Sequence, residues 1–126
     1  FGLKPEIALV LEGTTAADLP GVTGAKRVCA PGQGPVLPFM DGGTVYDRAL
    51  FEQLRDLAER HHIPWQTKRR IAGGTDAQAI QKTGVGCRVA AISAAIRYIH
   101  SPVSVGCTRD FLQMKQLAEL FLEEWT

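Results

Sequence analysis

Ile7-Ala8-Leu9-Val10-Leu11-Glu12-Gly13-Thr14-Thr15 sets the fold class. Its first five residues are all apolar, which is the pattern of a strand covered on both faces. The run breaks at Glu12-Gly13, so a carboxylate is expected just beyond the end of a buried strand. Cys87 to Ile92 repeats the pattern and predicts a second strand of the same kind. Between them, Leu50, Leu54, Leu57 and Ala58 recur at helical spacing; Asp47 can cap that helix, and Pro64 prevents it from running much beyond His61. Trp65 to Ile71 alternates as a strand would, and Gly73-Gly74-Thr75-Asp76 then turns the chain into a short helix through about Thr83. The last helix is expected near Thr108, a good cap residue, with Asp110 in its first turn where the helix dipole favours a negative charge. Phe111, Met114, Leu117, Ala118, Phe121, Leu122 and Trp125 give that helix a wide apolar face.

Strands alternating with helices predict an α/β fold of three layers, a sheet with helices on its faces, as a single domain over residues 1–126. Ala16 to Asp41 is rich in Gly and Pro and reads as a long functional loop with short extended pieces such as Val36 to Phe39. The chain opens within a few residues of a buried strand, which gives the expectation of a piece cut from something longer.

The composition narrows the function classes. Of 126 residues, 45% are hydrophobic and 21% charged, ordinary for a soluble domain. Fourteen basic against thirteen acidic residues leave a net charge of +1, which gives no electrostatic footprint for nucleic acid or an anionic membrane. Lys68-Arg69-Arg70 is the only basic cluster, and it reads as a protected sheet edge more readily than as a phosphate contact. There is no apolar run of the roughly 20 residues needed to span a bilayer, and no signal pattern, so a cytoplasmic protein is expected. Cys29, Cys87 and Cys107 form an odd set without Cys-x-x-Cys spacing and read as reduced, mostly buried thiols.

The candidate residues each carry two readings. Glu12 is a turn carboxylate or a ligand held by a rigid strand. His100, before Ser101-Pro102, is a structural histidine or a ligand on a backbone fixed by proline. Gly73-Gly74-Thr75-Asp76-Ala77 is an ordinary turn and cap, or a set of backbone N–H groups offered to an anion or a substrate carboxylate. It lacks the lysine of a phosphate loop. Glu12, Gly73 to Asp76 and His100 all fall beyond the carboxyl ends of strands, where α/β sheets place their sites. His61 and His62 end a helix and complement its dipole.

The order of the motifs goes further. Val10-Leu11-Glu12-Gly13-Thr14-Thr15-Ala16-Ala17-Asp18-Leu19-Pro20-Gly21, Gly32-Gln33-Gly34-Pro35, Gly73-Gly74-Thr75-Asp76-Ala77 and Arg97-Tyr98-Ile99-His100-Ser101-Pro102 together resemble the glutamyl-aminopeptidase family, which includes the tetrahedral aminopeptidases. The resemblance spans nearly the whole chain. It implies the carboxy-terminal half of a zinc-peptidase catalytic domain with two divalent metal ions, zinc or cobalt. It makes Glu12 and His100 metal ligands and Gly73, Gly74, Thr75 and Asp76 a substrate-binding segment. It also implies peptide substrates and a homo-oligomer. The bridging aspartate, a first histidine and the general-base glutamate would lie upstream of Phe1, so this chain alone should be inactive. Glu12 stands where the family most often has aspartate, Gln78 and Gln81 stand where glycine and histidine are frequent, and Ser104 stands in place of a frequent glutamate. Metal binding is expected to survive the extra methylene of Glu12, which alters its reach, whereas the changes at Gln78, Gln81 and Ser104 bear on substrate preference. A non-catalytic binding or assembly module that keeps the fold is the alternative. Cellulose degradation, ascribed to some relatives, is disfavoured because aromatic residues are only 7% of the chain.

Overall fold

Two parallel strands form the centre of the computed structural model, which describes residues 2–125. Strand β1 is Ile7–Thr15 and β2 is Arg88–Ile96, paired without a slip from Ile7 opposite Arg88 to Thr15 opposite Ile96. Both run four residues past the apolar stretches that marked them. Glu12 therefore lies within β1 and not beyond it, because the ladder continues through Gly13, Thr14 and Thr15 against Ala94, Ala95 and Ile96. Gly13 is tolerated there since a Cβ at that position would meet the Ile96 side chain at 3.0 Å. The expected cover on both faces is complete only for β2; β1 is mostly half-buried, and Leu11 is 49% exposed.

Helix α1 is Arg48–Arg60, α2 is Ala77–Lys82 and α3 is Thr108–Trp125, with one 3-10 turn at Gly24–Lys26. Asp47 caps α1 by accepting from the Leu50 N–H. His61 ends that helix, and His62 takes a positive φ of 53°. Leu50, Leu54 and Leu57 of α1 pack with Leu117, Ala118 and Phe121 of α3 on Ala90 and Ile92 of β2. Each fully buried leucine contributes about 1.5–3 kcal/mol to this layer. The opposite face of the sheet, with Val89 and Ala91 buried and Ala8 and Val10 packed beside them, meets Tyr46 and Ala77 and Ile80 of α2. Helices thus cover both faces, and the fold is the three-layer α/β arrangement.

Two expectations change in detail. Trp65 to Ile71 is not a strand: Gln66 makes a single parallel bridge to Val36, and the chain bends at Arg69 and Arg70. The Gln66 side chain explains the interruption, since its amide holds Ala30 N–H and the Ala30 and Gly34 carbonyls and ties the segment to a loop. Thr108 is the first residue of α3 and not its cap. Asp110, completely buried, accepts from the Gly32 and Gly34 N–H groups at 2.7 and 3.1 Å, so it fastens the Pro31–Pro35 loop to α3. Of the three thiols only Cys29 is fully buried.

Candidate functional site

Side chains alternate along a strand, and registered partners in neighbouring strands project to the same face. Gly13 faces Ile96 and Ile99. Glu12 therefore projects from the other face, the one that carries Tyr46 and α2, with Ser93 beside it in β2. Burial pushes the Glu12 carboxyl up to about 7; Lys68 opposes the rise, while the neighbouring carboxylates Asp41 and Asp76 add to it. One cation among three carboxylates leaves the Glu12 surroundings short of positive charge.

The segment from Gly73 to Asp76 is held beside this face at several points. Asp41 accepts from the Gly43 and Thr44 N–H groups at 2.9 Å each and from the Tyr46 hydroxyl at 2.6 Å. The same hydroxyl lies 3.1 Å from Thr75 Oγ1, which also accepts from the Ala77 N–H. The Gly42 N–H donates to the Gly73 carbonyl at 2.8 Å, and Gly73 takes a φ of +71° that favours glycine. Burial, and then the bond to Asp41, raise the Tyr46 hydroxyl pKa well above that of a free phenol, so it stays a neutral donor. Thr75 thus occupies N–H groups at the start of α2, and Asp76 sets a carboxylate beside them. The surroundings disfavour an anion and suit a metal cation or an ammonium group.

His100 lies on a turn after β2. Tyr98 and His100 both have positive φ, 58° and 63°, and the Ser101 N–H and Ser104 hydroxyl both donate to the Tyr98 carbonyl. Left-handed backbone at non-glycine residues is costly and needs such support. The His100 ring is exposed and is not among the charges acting on Glu12, whereas Asp76 is. Among the described residues no three His, Cys, Asp or Glu side chains gather to hold a metal ion. A cleft of about 430 Å³ lined by Asp18, Arg97 and Tyr98 opens beside the His100 turn and includes neither Glu12 nor the glycine loop. Arg97 holds Asp18 there through two hydrogen bonds, which lower the Asp18 pKa.

The sequence reading missed Asp41, Tyr46, Lys68 and Ser93. Asp41-Gly42-Gly43 looked like an ordinary turn, and the register that sets Ser93 beside Glu12 joins residues 81 positions apart, which no local pattern reports.

The sequence model of the M42 glutamyl aminopeptidases matches residues 1–117. The chain belongs to that family. It is 34% identical over 125 residues, 98% of its length and 35% of the relative's, to a lysyl aminopeptidase of Pyrococcus furiosus. An aminopeptidase structure from the archaeon Desulfurococcus kamchatkensis superposes with a TM-score of 0.93 at 36% identity, over 98% of this chain and 35% of that one. The TET1 peptidase of Pyrococcus horikoshii, a protein that assembles into a tetrahedron or a large octahedral shell, superposes with a TM-score of 0.69 at 28% identity, over 89% of this chain and 32% of that one. This M42 chain spans about a third of the length of the curated relatives it matches.

A divalent metal fits Glu12 on the structure's own terms. A hard oxygen donor that burial and two further carboxylates hold back from ionising is stabilised in its charged form by a nearby cation. The described residues supply single donors, and a complete site needs others from outside them.

Proposed function

We propose that this chain is the carboxy-terminal part of the catalytic domain of a two-metal aminopeptidase, with Glu12 and His100 each holding one metal ion, zinc or cobalt. The observation that carries the reading is the deficit of positive charge around Glu12 on the same sheet face as the Gly73–Asp76 segment. When bound, the metals would supply an activated water and a polarised scissile carbonyl. Glu12 and His100 hold cations in this scheme and transfer no proton; the general base comes from outside the chain. Gly73, Gly74, Thr75 and Asp76 form the substrate wall, braced by Tyr46 and Gly42, and Asp76 adds a charge that attracts the free amino group of a peptide. The complete protein acts in the cytoplasm, where Cys29, Cys87 and Cys107 stay reduced, and works as a homo-oligomer.

The test is release of amino-terminal residues from unblocked peptides by the complete protein, followed by mass spectrometry. Chelation should abolish release, zinc or cobalt should restore it, and an acetylated amino terminus should block it. The 126-residue chain alone should give no turnover with either metal, since each ion needs about four donors. Turnover by that chain, or release that survives chelation, would refute the reading. A complete protein that binds peptide without cleaving it would be a binding module instead.

A further inference from the structure

Ser93 is completely buried in the middle of β2, and its hydroxyl has no hydrogen-bond partner. Its backbone is fully used: Val36 N–H donates to the Ser93 carbonyl at 2.7 Å, and Ser93 N–H donates to the Val36 carbonyl at 2.9 Å. A buried hydroxyl left unmade costs about 1–3 kcal/mol, so alanine would be the better residue here unless the hydroxyl has a task. The small apolar neighbours Ala91 and Ala95 on the same face show that the space accepts alanine.

Across the ladder, Ser93 is registered with Glu12. Adjacent strands lie about 4.8 Å apart and registered residues share a face, so a short hydroxyl and a longer carboxylate start side by side. Among the described residues no N–H or O–H donates to the Glu12 carboxylate. An unused buried donor and an unused acceptor therefore sit next to each other at the one position where the two strands carry a carboxylate. We infer that Ser93 is the positioning residue of the Glu12 site: its hydroxyl donates to one carboxylate oxygen of Glu12 and leaves the other aimed at a bound divalent cation.

The arrangement has a physical use. A glutamate reaching from a strand has several rotamers, and a ligand fixed by a second hydrogen bond loses less freedom when the cation binds. Lys68 makes no hydrogen bond to Glu12: its ammonium donates to the Ala72 carbonyl at 3.0 Å and acts on Glu12 through its charge alone. This inference rests on the reading of Glu12 as a ligand, and the experiment separates the two.

Zinc affinity of the complete protein is measured by chelator competition, and the cobalt-loaded form by its visible d–d spectrum, for wild type, Ser93→Ala, Ser93→Thr and Glu12→Gln. Ser93→Ala should weaken zinc roughly 10–100-fold and alter the cobalt spectrum, while its metal-free thermal midpoint is unchanged or raised. Ser93→Thr, which keeps the hydroxyl, should restore affinity to within a few fold. If Glu12→Gln loses zinc while Ser93→Ala keeps wild-type affinity and spectrum, the Ser93 role is overturned and the ligand reading stands. If Glu12→Gln also keeps wild-type affinity, both fall. A Ser93→Thr variant that fails to fold leaves Ser93→Ala to decide, since removing one oxygen from a buried site adds no volume.

Discussion

At the scale of single residues, Glu12 makes the sharpest claim. Its carboxyl ordinarily loses its proton near 4.5, and burial raises that to about 7 in the folded chain. The folded state thus holds a proton that the unfolded state has released between those values, so stability falls as pH rises through that window. Glu12 keeps contact with solvent, and the loss for metal-free protein from pH 5 to pH 8 is about 1–2 kcal/mol after allowing for it. Urea unfolding of the metal-free protein at both pH values should show the loss in wild type and not in Glu12→Gln. An equal loss in both would assign it to other groups. The residue itself was legible, because a carboxylate interrupting an apolar run stands out in any reading. Its partners were not. Asp41, Lys68 and Asp76 converge on it only through three separate loops, and Ser93 only through strand register.

At the scale of elements, the helices and both strands were legible, and the third strand expected at Trp65 to Ile71 is absent. Helix α1 announced itself by Asp47, the leucine stripe and Pro64, all local signals. Asp47 also binds Arg88 of β2, whose guanidinium, followed by burial acting the other way and the α1 N–H groups, brings the Asp47 carboxyl down to about 2. Its stabilising effect is therefore present above about 3.8 and fades as pH falls toward 2. Asp47→Ala should cost about 1–2 kcal/mol through the lost cap, whereas Asp47→Asn keeps an acceptor for Leu50 and loses only the part-exposed ion pair, about 1 kcal/mol or less. Denaturant midpoints at pH 7 distinguish the two variants, and equal losses would show that capping is not what Asp47 does. Trp65 to Ile71 misled because alternation reports faces and not hydrogen-bond partners. Its one bridge reaches Val36, inside a loop whose shape depends on Gly34. That glycine has φ +88°, and a Cβ there would sit 2.0 Å from the Pro64 carbonyl oxygen. Gly34→Ala should destabilise by about 3 kcal/mol or more, lowering the thermal midpoint by many degrees, and a neutral result would contradict the close approach.

At the scale of the whole molecule, β1 pairs among the described residues with β2 alone, and Leu11 of β1 and Phe111, Leu112, Leu122 and Trp125 of α3 remain exposed. An unpaired strand edge and exposed apolar side chains each invite association. The 126-residue chain in isolation should therefore associate, with sedimentation showing a mass that grows with concentration, and a strict monomer would mean that these surfaces need no cover. Whether Glu12 and His100 each hold one metal of a pair is tested directly by anomalous diffraction at the zinc edge from crystals of the complete protein. One peak is expected about 2.0–2.2 Å from a Glu12 carboxylate oxygen and another at the same range from a His100 ring nitrogen, the two about 3.5–4 Å apart. Metal peaks that leave both side chains beyond ligand distance would contradict this assignment.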